Sequence, residues 1–576
     1  MAIYINKSWI ATSEYLLAMT SVASIIKRMV QAFLNRGKNI LVGEHKSILS
    51  AALVIGGSFL ASAMLGLVRN HLLAARFFGG LEADLDVYFA AFVIPDTIFQ
   101  LLIVGAISAA FIPIFQESYK KSRDEAYEMA NASLTSLGLI LFVFTTLIVI
   151  FARPLSGLIA HYSDKQLSLM ANLIRIMSLA QLIFTFSAFL TGILQAQRRF
   201  LLPAVAPLLY NVGTITGILL FSSRIGIYSA AVGVVIGALL HMLVQLPLTK
   251  HLGFSPKILF KPNHPAVKNM LHLMPPRTLS LGLDQIERWV AVNLTSLLAA
   301  GSLSVFNFAR QLYVLPISLF GISLSQASFP ALAEEAAKKD YESFRKTLAK
   351  TILQIFFFAF PASVIILILR IPLVRLAFGA RSFPWDATLL TAKVLSIMAL
   401  SIAPQAVAHL LTRAFHALKN TKIPLLVGFI SMVAFTLFSI MVTYYYGWGL
   451  IGIALGISLA SFLDFILLYY LLIGKVGRLD ISWKIIKMSL VSLASGIALY
   501  IPMKLLDQFV LDTTKTVWLI VLTLVVSFVG FFVYCFFSYL LKIEELEDVF
   551  SIIRRLGNWR KILGESDEVI ESNPPA

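Results

Sequence analysis

Residues 62–115 read SAMLGLVRNHLLAARFFGGLEADLDVYFAAFVIPDTIFQLLIVGAISAAFIPIF. One apolar run closes on a short charged turn holding Arg69, Arg76, Gly79, Gly80, Glu82 and Asp84, and a second apolar run follows from Asp86. The second run is long enough for a helix to cross about 30 Å of hydrocarbon, which takes about 20 residues. It is continuously apolar, whereas a membrane-barrel strand alternates lipid-facing with lumen-facing residues. The passage therefore reads as a helical hairpin through a membrane.

The pattern extends outward in both directions. Apolar windows recur near 48–68, 86–116, 131–152, 168–196, 204–222, 228–250, 268–298, 303–330, 348–370, 388–416, 424–445, 449–473, 483–503 and 515–541. The expected fold class is thus an all-α polytopic membrane protein of about 14 transmembrane helices. Composition agrees: of 576 residues 58% are hydrophobic and 13% charged, against roughly 25% charged in a soluble domain.

The loops set an orientation. Lys and Arg number 31 on the segments that would share a side with the termini, and about 10 on the opposite set. The positive-inside rule then puts both termini in the cytoplasm. Residues 1–47 contain apolar positions at helical spacing, interrupted by Lys27, Arg28 and Arg36, as in a basic amphipathic segment at the inner interface. The net charge of +17 fits this topology and contact with anionic lipid rather than nucleic acid.

Soluble-enzyme chemistry finds little footing. A lone cysteine, Cys535, excludes an intrachain disulfide or a thiolate zinc cluster. The nine histidines lack metalloprotease spacing, and no phosphate-binding glycine loop or nucleophile elbow is present.

The chain also repeats itself. Phe111-Ile-Pro113 opens a charged loop after the second span and Phe329-Pro330 another after the eighth, the two prolines 217 residues apart. Ala196-Gln-Arg-Arg-Phe-Leu-Leu-Pro203 and Ala417-Leu-Lys-Asn-Thr-Lys-Ile-Pro424 end the fourth and tenth spans. Six spans separate each pair, so the copies run in the same sense, a plan that secondary transporters use to place a substrate site between two lobes. The expected organisation is a cytoplasmic segment 1–47, an N-lobe 48–250 of six spans, a C-lobe 251–473 of six, two further spans within 474–541, and a cytoplasmic tail 542–576.

Charges inside spans are costly and usually face a wet cavity or a partner. The seventh run carries Arg277, Asp284, Glu287 and Arg288, and the eighth Arg310. Asp284 and Arg288, four apart, share a helix face and could form an intrahelical pair. Arg310 has no carboxylate within a turn. Arg69 is an outer-edge residue if its helix ends near 68, but faces inward if the helix continues to Phe78. Asp96 and Gln100 lie in the second run. Asp464 reads as a cation ligand or a helix-interface hydrogen bond, and His409 and His416 as a proton relay or packing residues. Arginines from both lobes around one inter-lobe space predict an anionic ligand, since guanidinium matches phosphate or carboxylate in bidentate geometry.

The opening passage, together with GSLSVFNFARQLYVLPISLFGISLSQASFPALAE from Gly301, resembles the MurJ/MviN family of bacterial lipid II flippases. The resemblance implies a multidrug/oligosaccharidyl-lipid/polysaccharide exporter fold in the bacterial cytoplasmic membrane. The cargo it implies is an anionic undecaprenyl-pyrophosphate carrying a saccharide, moved from inner to outer leaflet for cell wall synthesis. Arg69 and Arg310 match arginines that grip the diphosphate, and Asp86 matches the family acid. The chain departs from the family at Gln100, Val104, Ala309 and Ala63, where charged residues are usual, and Arg277 and Arg288 are candidates to restore the lost charge. Substrate-binding candidates are thus Arg69, Asp86, Gln100, Arg277, Asp284, Arg288 and Arg310. Some relatives bind sodium among spans seven, eleven and twelve, but the eleventh here has no carboxylate. No cofactor is expected, energy coming from the membrane potential or an ion gradient, and the chain is expected to act as a monomer. Rivals are a flippase for another polyprenyl-diphosphate oligosaccharide and a cation-coupled drug exporter, the latter disfavoured because a cationic drug prefers cavity acids.

Overall fold

The computed structural model describes residues 48–547; the amphipathic segment expected within 1–47 and the tail from 548 lie outside them. Every regular element among the described residues is helical. Fourteen long helices follow the fourteen apolar runs: α1 (Ile48–Phe77), α2 (82–121), α3 (Arg123–Ile150), α4 (Asp164–Ala196), α5 (Leu201–Ile225), α6 (Tyr228–His251), α7 (Pro265–Ser296), α8 (Ser302–Ala337), α9 (Tyr341–Ile368), α10 (385–417), α11 (Lys422–Tyr445), α12 (Leu450–Val476), α13 (Ser482–Val510) and α14 (Thr516–Leu540).

Twelve of these are long and apolar enough to cross a membrane, thirteen with α10 counted as one bent span. The remaining one, α7, is 32 residues long, but four charged residues in its middle remove it from an apolar count. In α10 the pieces Trp385–Ala399 and Ile402–Ala417 meet at 47°, where Pro404 lacks the N–H that would continue the backbone ladder. Helix α1 runs nine residues beyond its expected end, so Arg69 lies inside the helix. Two short helices, Ala152–Ile159 and Arg370–Phe378, follow α3 and α9 and were not visible in the hydropathy.

Local devices repeat between the halves. Ser122 accepts from the backbone N–H of Asp124 at the start of α3, and Asp340 from that of Ser343 at the start of α9, each satisfying an orphan donor of the first turn. Helix α2 carries π-helical turns at Gln100–Val104 and Ile107–Phe111, and α8 one at Ile317–Ile322. Glycine lets α5 and α6 touch: a Cβ on Gly213 would fall 2.4 Å from Gly237 Cα, and one on Gly217 2.3 Å from Gly233 Cα, a small-residue seam of the kind that packs membrane helices. Helices α1–α6 pack mainly on one another, as do α8–α12; α7 lies between the halves, packing on α2 and α3 as well as on α8 and α11, while α13 and α14 pair and lean on α9.

Two faces of the molecule differ. One, the turn face, carries the α1–α2 and α7–α8 connections and the Arg370–Phe378 helix. The other, the basic face, carries Lys120, Lys121, Arg198, Arg199, Lys338, Lys339, Lys419 and Lys422 near the helix ends.

Candidate functional site

Between the halves lies a cavity of about 750 Å³, bounded by α1, α2, α5, α7 and α8. Arg69, Arg288 and Arg310 all line it. Each stands eight residues from its helix end at the turn face, about 12 Å in at 1.5 Å per residue, so the three guanidinium-bearing positions form a layer at one depth. The lining continues past them to Phe59 and Pro207, toward the basic face.

Each arginine is held differently. Arg69 donates from Nη1 to Asn211 Oδ1 at 3.2 Å and from Nε to Asn70 Oδ1 at 3.2 Å, with its guanidinium carbon 5.9 Å from the Tyr210 ring centre. Asn211 is fixed in turn by donating to Ser62 and to the Pro207 carbonyl. Asn70 donates to Gln311 across the cavity. Arg69 is therefore oriented by neutral groups and keeps its charge uncompensated. Arg310 makes no hydrogen bond or ion pair among the described residues, although it is only partly exposed at the cavity wall. Arg288 donates from Nη1 to Asp96 Oδ2 at 3.1 Å, linking α7 to α2, instead of closing the intrahelical pair that its spacing from Asp284 suggested. A layer with three guanidinium groups and one carboxylate, Asp96, offers fork-shaped donors to an anion.

The other candidates fall elsewhere. Asp86 does not line the cavity: it is 2% exposed and accepts from the backbone N–H of Gly301 (2.7 Å), the backbone N–H of Ser304 (2.8 Å) and Ser304 Oγ (2.6 Å). Its carboxylate thus caps the first turn of α8, where orphan N–H groups and the helix dipole favour an anion. Gly301 takes φ +89°, a conformation glycine adopts without the strain a Cβ brings. Gln100 lies off the cavity and donates to Asp96 Oδ1 at 3.4 Å. Asp284 lines a second cavity of about 550 Å³ within the C-terminal half, together with Glu287, His409, His416 and Asp464. Arg277 lies in the first half of α7, its side chain outside what the structure describes. Among the described residues no group of three His, Cys, Asp or Glu side chains is placed to hold a metal ion.

Sequence reasoning missed Asn211, Tyr210 and Gln311. A lone amide inside an apolar run was the available signal for the first and third, because a buried amide needs a partner. Nothing in the sequence joins Asn211 to a residue 142 positions away.

The two halves are closed at the turn face. Besides Asp86, Ser382 Oγ donates to the Ala75 carbonyl at 2.7 Å, and His71 Nδ1 lies 3.1 Å from the Ala377 carbonyl oxygen. Phe78, Phe308, Phe378 and Phe383 stack in one cluster there, with Phe308 and Phe378 at 4.6 Å between centroids. A second seam joins α2 to α7. Trp289 Nε1 donates to Thr97 Oγ1 at 2.9 Å, and Thr278 Oγ1 to the Leu101 carbonyl at 3.1 Å.

Comparison with known proteins agrees with this geometry. The family model described as "Lipid II flippase MurJ" matches residues 73–525. A "Probable lipid II flippase MurJ" of Thermotoga maritima is 30% identical over 490 residues, covering 85% of this chain and 95% of its own. "Lipid II flippase MurJ" of Burkholderia cenocepacia is 28% identical over 391 residues, covering 66% and 75%. Among solved structures, "Lipid II flippase MurJ, inward closed conformation" superposes with a TM-score of 0.72 at 26% identity, covering 85% of this chain and 98% of that one. An inward-facing multidrug MATE transporter of the MOP superfamily shares the fold, with a TM-score of 0.62 at 16% identity over 72% of this chain and 94% of its own. The chain belongs to the lipid II flippase MurJ family.

Proposed function

We propose that the chain is a lipid II flippase, moving the undecaprenyl-pyrophosphate-linked peptidoglycan precursor from the inner to the outer leaflet by alternating access. The observation that carries the reading is the layer of Arg69, Arg288 and Arg310 at one depth between the two halves. A diphosphate crossing about 30 Å of hydrocarbon needs its charge compensated, and guanidinium groups on both lobes supply that while the polyprenyl tail stays in lipid. No bond is made or broken, so the protein is a transporter and not an enzyme.

In this reading the basic face is cytoplasmic, as are both termini, and the turn face is extracytoplasmic. With the turn face latched, the cavity belongs to the cytoplasmic half of the cycle. Breaking that latch while closing the basic half exposes the headgroup outside. The protein works as a monomer, and the membrane potential or an ion gradient resets it.

The test is depletion of a host's own lipid II flippase with this gene supplied. The intact protein restores growth and outward lipid II exposure, and Arg310→Ala does not. Absence of rescue by the intact protein counts against lipid II as cargo; equal rescue by both counts against the arginine mechanism.

A further inference from the structure

The cavity's single carboxylate is the feature that transport of an anion leaves unexplained. Asp96 sits on α2, in the N-terminal half, and projects into a space whose other charged groups are guanidinium. It takes one contact from Arg288, Nη1 to Oδ2 at 3.1 Å, and a long one from Gln100 to its other oxygen. The pairing is incomplete on the arginine's side as well: Arg288 Nε is buried and has no hydrogen-bond partner. A guanidinium that uses one corner on a carboxylate and leaves a buried donor idle is underfilled, since its fork suits two parallel bonds to one anion.

We propose that Asp96 is a stand-in for the cargo's phosphate. It holds Arg288 while the site is empty and is displaced when a diphosphate arrives, and that exchange removes the ionic tie between α2 and α7, leaving the seam to the neutral hydrogen bonds of Trp289 and Thr278. This deepens the flippase reading and rests on it. Arg288 belongs to one half and Asp96 to the other, so their pair is a strap between lobes as well as a charge balance. A diphosphate carries more charge than one carboxylate, can fill both the engaged and the idle donors of Arg288, and reaches Arg69 and Arg310 in the same layer. Once it is seated, Asp96 faces an anion at close range, and like charges in a cavity of low dielectric repel. The carboxylate that closed the empty seam then pushes it apart. Release of cargo restores the strap, so an empty transporter re-forms the closed seam by itself.

The test uses the full chain in lipid nanodiscs with Cys535→Ser and a reporter pair, Gly105→Cys with Thr278→Cys. A Cβ at Gly105 would lie 3.3 Å from Thr278 Oγ1, within reach of disulfide formation when the seam is shut. Probes are undecaprenyl diphosphate and, as the neutral control, undecaprenol. The parent cross-links quickly when empty, and cross-linking slows several-fold with the diphosphate but not with the alcohol. Asp96→Asn cross-links slowly without any ligand and binds the diphosphate about tenfold tighter, because a competing anion is gone. Asp96→Glu keeps the parent's behaviour, which separates loss of the strap from a folding defect. Unchanged cross-linking of empty Asp96→Asn, or unchanged or weaker diphosphate binding by it, overturns the proposal. If the parent itself does not prefer the diphosphate over the alcohol, the cargo reading falls and the displacement with it. A parent that binds while Asp96→Asn shows no shift overturns the displacement alone.

Discussion

Arg69 and Arg310 share a layer but not a setting, and substitutions should separate them. Arg69 is braced by Asn70, Asn211 and the Tyr210 ring, so it is pre-oriented and its planar fork matters. Lysine keeps the charge but neither forks nor stacks in the same way. Arg69→Lys is expected to weaken undecaprenyl diphosphate binding about tenfold, comparable to one lost charge-assisted contact, measured by titration in nanodiscs. Arg310 has no acceptor of its own among the described residues, so Arg310→Lys should retain more binding than Arg69→Lys in the same titration. Arg310 was legible in the sequence because a guanidinium inside an apolar run is too costly to be incidental; Arg69, just past the expected end of its span, was legible only on the alternative that the helix ran on to Phe78 and through the family resemblance. The setting of Asp86 was not legible: an acid near a span edge looks alike whether it faces a ligand or a helix terminus, and only the fold brings Gly301 and Ser304 to it. Removing its oxygens by Asp86→Ala strands buried N–H donors, each worth about 1–3 kcal/mol. A clear fall in the thermal midpoint is expected, while Asp86→Asn, which keeps one acceptor, loses less.

At the scale of elements, hydropathy located all fourteen long helices yet misjudged where several end and why one looks different. Length and apolarity suffice for a helix that meets lipid on most sides. They are weakest for α7, found as the run 268–298 although charged residues in its middle line both cavities, and they fail for Ala152–Ile159 and Arg370–Phe378, which are too short for a span-sized window. Helix α1 was cut short because Arg69, Asn70 and His71 depress the local average, although a helix tolerates them where one side is wet. Contacts between helices were the least legible part, since they depend on pairs distant in sequence. The α5–α6 seam is the clearest case, with Gly213 and Gly217 opposite Gly237 and Gly233. Valine at Gly217 puts its Cβ into backbone that cannot yield, and overpacking of this kind costs about 1–3 kcal/mol or more. Gly217→Val is expected to lower the thermal midpoint in detergent, and Gly138→Val, at a position with open space around its Cβ, is expected to leave it unchanged.

For the whole molecule, the turn face is a closure made of separable parts, and locking it should stop the cycle. With Cys535→Ser as background, Gly79→Cys and Ser382→Cys pair two thiols across this face, since a Cβ on Gly79 would stand 3.6 Å from Ser382 Cβ, within disulfide reach. Oxidation is expected to abolish flipping and reductant to restore it, followed by outward exposure of lipid II in vesicles. A cross-linked protein that still flips would mean the turn face never parts. The repeat seen in two proline phrases 217 residues apart extends to features no motif announces: the π turn beginning at Ile317 in α8 stands 217 residues after the one beginning at Gln100 in α2. Each π turn closes hydrogen bonds from i to i+5 and so adds a residue to its turn. At 3.6 residues per turn, one added residue moves everything beyond it about 100° around the axis. Helix α2 is consequently a shaft with a phase change partway along. Before the change its inward positions, Asp86 and Asp96, address the other half; beyond it Phe111 packs on Gly192 of α4, within its own half. One continuous helix thereby serves two partners that no single stripe of a regular helix could face, and its counterpart α8 carries one such turn in the other half, matching the first of the two in α2.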